Sequence, residues 1–257
     1  MLPKDPSEDL ESGYEGVGEF YDLFADNTDI PFFLEYARRT GSPILDLAAG
    51  TGRVTFALAL EGFEVVALEY SESMLAEARK KLENAPPEIA SRIELIKGTM
   101  KEFIINREFS LVLVPNSFSH LLTRDDQLSM LHCVKKHLAD AGLFILDLYP
   151  GEHQYEQATF EDAPAELPDG RTITRYGSIT SNFERKLMRV ELRYVVEKPI
   201  GIVVEEISVV SGAALIMNHE ADFLIEETGF QVVDEFGDFE KNPFTSDSGR
   251  RILILRK

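Results

Sequence analysis

Apolar and polar positions along this chain follow two rhythms, and the change between them falls near residue 150. Before it, short apolar runs alternate with stretches of helical period. "ILDLA" from Ile44, "EVVALE" from Glu64, "IELIKG" from Ile93, "FSLVLVPN" from Phe109 and "LFILDLY" from Leu143 read as strands buried on both faces. One helix is predicted from about Arg53 to Glu61, stopped by Gly62. A second runs through "MLAEARKKLEN", capped by Ser71 or Ser73 and ended by Pro86 and Pro87. A third, "RDDQLSMLHCVKKHLADAG", has acids in its first turn, Lys135 and Lys136 near its end and Gly142 beyond it. Ahead of the first strand, Gly13 to Thr40 reads as two helices joined near Asn27. Strand and helix in alternation predict a parallel sheet covered on both faces.

From about Thr172 to Val210 the pattern changes to long alternating runs broken by turn residues, which read as antiparallel strands with one wet face. The first rhythm then returns in the helix "HEADFLIEETG" and the strands "FQVVDEF" and "RRILILRK". There is no internal repeat and no low-complexity tract. The expected fold is α/β: a doubly wound, Rossmann-like core with an antiparallel β lobe inserted after its fifth strand. The expected divisions are residues 1–43, 44–150 (the α/β core), 151–218 (the lobe) and 219–257 (completion of the core).

Composition narrows the choice of partners. The chain has 257 residues, with 45 acidic against 26 basic side chains and a formal net charge of −19. Such a surface repels phosphate backbones and anionic lipid, which argues against nucleic acid and membrane as partners. Cys133 is the only cysteine, so neither an intrachain disulfide nor a cysteine zinc site can form. The start, "MLPKDPSEDLESG", lacks the apolar core of a signal peptide, and no apolar run approaches the roughly 20 residues that cross a bilayer. A cytoplasmic setting is expected. No His/Cys/Asp spacing matches a metal site, and Asp125–Asp126 read as first-turn helix charges, so no metal is expected.

The informative chemistry lies in "ILDLAAGTGRVTFALALEGFEVVALEYSESML". In open α/β sheets ligands sit beyond the carboxyl ends of the strands, where the strand order reverses, and the turn "AAGTGRV" stands at such an end. Gly50 and Gly52 let the backbone approach a ligand closely. Glu69 closes the second strand and can accept two hydrogen bonds from a ribose diol. A dinucleotide and S-adenosylmethionine both carry such a ribose. The dinucleotide fingerprint G-x-G-x-x-G/A fails at its third place, where Thr55 stands, and Asp46 lies inside the first strand, four residues before Gly50.

The run "LDLAAGTG" resembles the first motif of class I S-adenosylmethionine-dependent methyltransferases, and "EYSESML" is similar to the family's D/E-x-S-x-x-M segment. The resemblance implies that Asp46 helps hold the loop and the methionine amino end, that Met74 packs on the adenine, and that the adenine amino group is met near Gly98, Thr99 and Met100. Thr99 stands where the family often has an acid. It extends the cofactor-binding set to Tyr21, Ala48, Gly50, Gly52, Arg53, Glu69, Tyr70, Pro115 and Asn116, with Tyr21 and Arg53 set towards the methionine carboxylate. After the fourth strand, "VPNSFSHLL" departs from the N/D/S-P-P-Y/F motif of enzymes that methylate nucleic-acid amino groups. Tyr21 with Asp22, Ser117 with His120 and the antiparallel lobe instead resemble small-molecule enzymes acting on amino groups of nucleotide-linked sugars. That likeness implies an N-terminal helical lid over residues 1–43, a small acceptor methylated on N or O by in-line displacement, His120 as catalytic base, and a homodimer through the lobe. The competing readings are an NAD(P)-dependent oxidoreductase using the same turn, and a non-catalytic module that kept the cofactor fold.

Overall fold

The computed structural model describes residue 10 and residues 13–199 and 201–257. The acidic start of the chain, expected to be no leader, lies almost wholly outside them. A single turn of helix, α1 (Gly18–Tyr21), and a tighter turn at Asp22–Phe24 precede α2 (Ile30–Thr40), so the first of the two expected helices is a short, broken one. Then come β1 (Ile44–Leu47), α3 (Arg53–Leu60), β2 (Val65–Glu69), α4 (Glu72–Asn84), α5 (Pro87–Ala90), β3 (Ile93–Lys97), β4 (Phe109–Val114), α6 (Arg124–His137) and β5 (Leu138–Leu148). The lobe contains β6 (Gln157–Glu161), β7 (Ala165–Glu166), β8 (Thr172–Asn182), β9 (Leu187–Glu197) and β10 (Val203–Ala214). The chain ends with α7 (Asn218–Thr228), β11 (Gln231–Phe236) and β12 (Arg251–Arg256).

Seven strands form one sheet in the order β3-β2-β1-β4-β5-β12-β11, and the lobe forms a second sheet, β10-β9-β8-β6, with β7 also on β8. From β3 to β5 every pairing is parallel, and β12 and β11 close the edge antiparallel. The order reverses between β1 and β4, so the turns after these two strands open the crevice that such sheets use for ligands. Alternation along each strand splits the core in two. Leu45, Leu47, Val112 and Phe144 face α6 and α7 with Met130, Val134 and Leu224. Ile44, Leu111, Ile145 and Ile254 face α2 and α3 with Phe33, Tyr36 and Leu58.

Two elements differ from their sequence patterns. The helix read through "KKHLADAG" stops at His137, and Gly142 lies inside β5. The His137 ring nitrogen Nδ1 sits 2.7 Å from the Cys133 carbonyl, which satisfies an orphan acceptor of the last turn, and Leu138 is drawn fully into the core. Gly142 instead lets the strand pass close to its neighbour: a Cβ there would lie 2.9 Å from the Phe109 carbonyl oxygen. The strands β6 and β7 carry no apolar alternation because their side chains are mostly exposed; β6 is held as a strand by backbone pairing to β8.

Candidate active site

The turn after β1 is bent by three left-handed residues, Ala48 (φ 53°), Gly50 (φ 61°) and Gly52 (φ 83°). A Cβ built on Gly50 would meet nothing within 4 Å, so Gly50 faces open space, whereas one on Gly52 would collide with the Phe56 ring at 2.8 Å. The two glycines therefore serve different ends: Gly50 leaves room for a ligand, and Gly52 lets α3 begin against the turn. The Gly50 amide donates to Glu69 Oε2 at 2.7 Å and the Ser71 amide to Glu69 Oε1 at 2.6 Å, which fixes the buried carboxylate at the tip of β2. Burial pushes the Glu69 carboxyl up, and these backbone amides oppose the shift. Each carboxylate oxygen retains a lone pair for a further donor.

Asp46 is 1% exposed at the heart of β1. Its Oδ2 accepts from the Thr55 hydroxyl at 2.6 Å, while its Oδ1 has no partner. Burial raises its pKa to about 7, with the Thr55 hydroxyl and the Arg53 charge opposing. Thr55, noted in the sequence only as a break in the dinucleotide pattern, is thus the residue that orients Asp46. A buried acceptor left bare costs about 1–3 kcal/mol unless a donor arrives, so the site fits a ligand that brings a cationic donor. S-adenosylmethionine meets that condition with its amino group, and its ribose diol suits Glu69.

The remaining expected cofactor residues fall into two groups. The Gly98 amide donates to the Glu69 carbonyl at 3.0 Å, Thr99 pairs with Glu102 and accepts from the Lys101 amide, and Met100 is buried, so this segment borders β2 on its Glu69 end. Pro115 is buried and Asn116 adopts φ 49°, its amide donating to Asp147 Oδ2 at 2.9 Å. Three others are placed differently. Arg53 makes two bonds to Asp29, at 2.5 and 2.6 Å; Tyr70 is 69% exposed; and Met74 is buried with Val17, Phe20 and Tyr194 rather than presented openly to the crevice.

Beyond β4, His120 packs under the lobe. Its Nδ1 lies 3.4 Å from the Gly212 carbonyl oxygen of β10, and its ring stands edge-on to Tyr14 at 5.6 Å. Tyr14 in turn lies 5.9 Å from Tyr21, and Tyr194 of β9 meets Phe20 and Phe24 of the N-terminal segment. Burial lowers the His120 pKa and raises those of Tyr14 and Tyr21, so all three are neutral near pH 7. Sequence reasoning missed the pair below them: Arg250 Nη1 donates to both oxygens of Asp147, at 2.5 and 2.6 Å, and the guanidinium also bonds and covers Tyr149. A lone acid inside "LFILDLY" was the available signal, since a buried carboxylate calls for a counter-charge.

Residues 44–142 match the model of the methyltransferase domain family. The chain is 28% identical to a dTDP-3-amino-3,4,6-trideoxy-alpha-D-glucopyranose N,N-dimethyltransferase of Streptomyces venezuelae, over 77% of this chain and 79% of that one. Residues 44–142 form a methyltransferase domain, and this chain is an S-adenosylmethionine-dependent methyltransferase. The methyltransferase superposes on CcbJ from Streptomyces caelestis with a TM-score of 0.77 at 20% identity, covering 97% of this chain and 99% of that one. It also superposes on S-adenosylmethionine-bound CalS10 of Micromonospora echinaspora, an amino pentose methyltransferase, with a TM-score of 0.72 at 20% identity, 97% and 100% covered. Nothing in the comparisons favours the oxidoreductase reading, and the bare Asp46 oxygen gives a physical reason against it, since the pyrophosphate of a dinucleotide would bring negative charge to that turn. No helix among the described residues is long and apolar enough to cross a membrane, and no cluster of His, Cys, Asp or Glu among them is arranged to hold a metal.

Proposed function

We propose that the methyltransferase acts on a primary or secondary amine of a small molecule, an amino sugar linked to a nucleotide in the first instance. The observation that carries this reading is the state of His120. A carbonyl oxygen can only accept, so the contact to Gly212 places the ring proton on Nδ1 and leaves the Nε2 lone pair free. Burial keeps the ring neutral at pH 7. A neutral imidazole among neutral phenols suits an amine nucleophile, because Nε2 can take the proton.

When bound, S-adenosylmethionine supplies a sulfonium methyl group open to in-line displacement. Glu69 would hold its ribose, Asp46 its amino end, and the open face of Gly50 would make space for the chain between them. Tyr14 and Tyr21 would roof the crevice, with the Tyr14 ring edge-on to His120. Held in this way, the acceptor needs little covalent help; alignment alone contributes roughly 7–11 kcal/mol in favourable systems. The test is incubation with labelled S-adenosylmethionine and a panel of nucleotide-linked amino sugars, free amines, alcohols and carboxylates, read by mass spectrometry. One or two methyl masses added to nitrogen support the reading. Transfer to oxygen alone would replace it.

The same reading includes a homodimer through the lobe. Support comes from β10, an edge strand of the second sheet, whose Val203, Val204 and Val210 are 50%, 42% and 41% exposed. Light scattering should return twice the 28.9 kDa chain mass; a single-chain mass would remove the dimer without touching the chemistry.

A further inference from the structure

The segment from Gly13 to Asp29 crosses the crevice as a strap, and acids spaced seven residues apart, Glu15, Asp22 and Asp29, fasten it to the elements that frame the cofactor. Asp29, buried, takes the two bonds from Arg53 at the start of α3. Asp22 accepts from the Thr51 hydroxyl in the glycine turn at 2.6 Å and pairs with Lys81 of α4, whose ammonium also reaches the Thr51 carbonyl at 2.9 Å. Glu15 spans the first turn of α4: it accepts from the Ser71 hydroxyl at 2.7 Å, the Glu72 amide at 2.9 Å and the Ser73 amide at 3.0 Å. The Gly16 amide adds a bond to the Ser73 hydroxyl at 2.8 Å, and Gly18 lies so close that a Cβ on it would sit 2.3 Å from the Ser73 carbonyl oxygen.

These fastenings are unequal. Asp29 is buried and bound by a guanidinium, whereas Glu15 is exposed and bound by neutral donors, between two glycines of positive φ, Gly13 (109°) and Gly16 (89°). Charge-assisted bonds between two ions out of water are the stronger kind. The outer clasp is therefore the one to release, and it carries Tyr14 with it while Asp22 and Asp29 keep the rest in place. It is also coupled to the ribose carboxylate, because Ser71 gives its amide to Glu69 and its hydroxyl to Glu15.

We infer that Glu15 is a positioning residue that latches the strap over the cofactor crevice and, by letting go of the start of α4, gates exchange of the cofactor. The inference rests on the placement of S-adenosylmethionine in this crevice. The experiment uses the full chain, S-adenosylhomocysteine as probe, and the variants Glu15→Ala, Glu15→Gln and Gly18→Ala. Glu15→Ala removes the bonds, Glu15→Gln keeps one oxygen acceptor, and Gly18→Ala forces the strap off sterically.

Two readouts are taken: the dissociation rate of the probe by surface plasmon resonance, and chymotryptic cutting at Tyr14, Phe20 and Tyr21 located by mass spectrometry. Glu15→Ala and Gly18→Ala should each release the probe about tenfold faster and be cut at these positions, with Glu15→Gln between them and the wild type. Dissociation within twofold of wild type together with unchanged cutting in both variants would overturn the latch. A wild-type chain that gives no binding signal would instead reject the placement of the cofactor, and the cutting pattern would then decide the latch alone.

Discussion

The two halves of the crevice are built by opposite means. On the β1–β2 side, two carboxylates are set by partners close in the chain: Glu69 by the amides of Gly50 and Ser71, Asp46 by Thr55 nine residues on. On the β4–lobe side, neutral rings and one ion pair are assembled from distant segments, His120 against Gly212 and Asp147 against Arg250. The first half is built on two buried carboxylates. The second is uncharged where the acceptor would sit, and its shape depends on how the lobe, the strap and the sheet come together. The side expected to hold the cofactor is thus built locally in sequence, and the side proposed for the acceptor is not.

The contrast can be broken at five places. The largest effect is expected at Arg250→Ala, which leaves Asp147 buried without its counter-charge and should cost about 3–5 kcal/mol of stability in chemical denaturation; a loss below about 1 kcal/mol would mean the distant half does not depend on that pair. Next comes Glu69→Ala. Hydrogen bonds to a charged group contribute roughly 1.5–3 kcal/mol each, so calorimetry with S-adenosylhomocysteine should show affinity falling about a hundredfold. An unaltered dissociation constant would remove the ribose from this carboxylate.

His120→Gln should lower turnover about tenfold to a hundredfold while leaving that affinity within twofold, separating the halves kinetically. In the wild type the neutral ring is the active form, and burial holds its pKa below the ordinary value of about 6.5. Activity therefore should persist as pH falls through 6.5 and decline only below it, and that acid limb should vanish in the variant. The same shift has a sign for stability: the unfolded chain takes up the His120 proton first, so this group withdraws stability as pH falls below about 6.5.

Thr55→Val should have the smallest effect, about 1–3 kcal/mol, since it strips Asp46 of its only hydrogen bond. Asp46 runs the opposite way with pH. Its folded pKa, about 7 against 3.8, means that the folded state holds a proton which the unfolded state has lost between those values. Its contribution is therefore fully present below pH 4 and falls away as pH rises to 7. Asp46→Asn should raise the melting temperature of the ligand-free protein at pH 8 and weaken S-adenosylhomocysteine. A lower melting temperature would show that the bare oxygen is already satisfied.

The same contrast explains what could be read from the chain alone. The parallel order, the glycine turn, Glu69 and Asp46 are legible because each follows from short-range pattern: an apolar run, a break, a carboxylate at a strand end. Ser71 as the cap of α4 belongs to this class, its hydroxyl accepting from the Met74 amide at 3.2 Å. Arg53 reads as a free cation beside the turn until the fold brings Asp29 to it, and Met74 reads as a ring contact until Phe20 of the strap covers it. The end of α6 is misread for the same reason, since neither the His137 side-chain bond nor the burial of Leu138 has a one-dimensional signature. Asp147 and Arg250 are 103 positions apart, and only packing pairs them.

The unmatched oxygen of Asp46 has a consequence for the choice of ligand. Above about pH 7 its carboxyl is ionised, and Oδ1 then has no donor. An amino group brought within reach of that oxygen would satisfy it, whereas a phosphate would leave it bare.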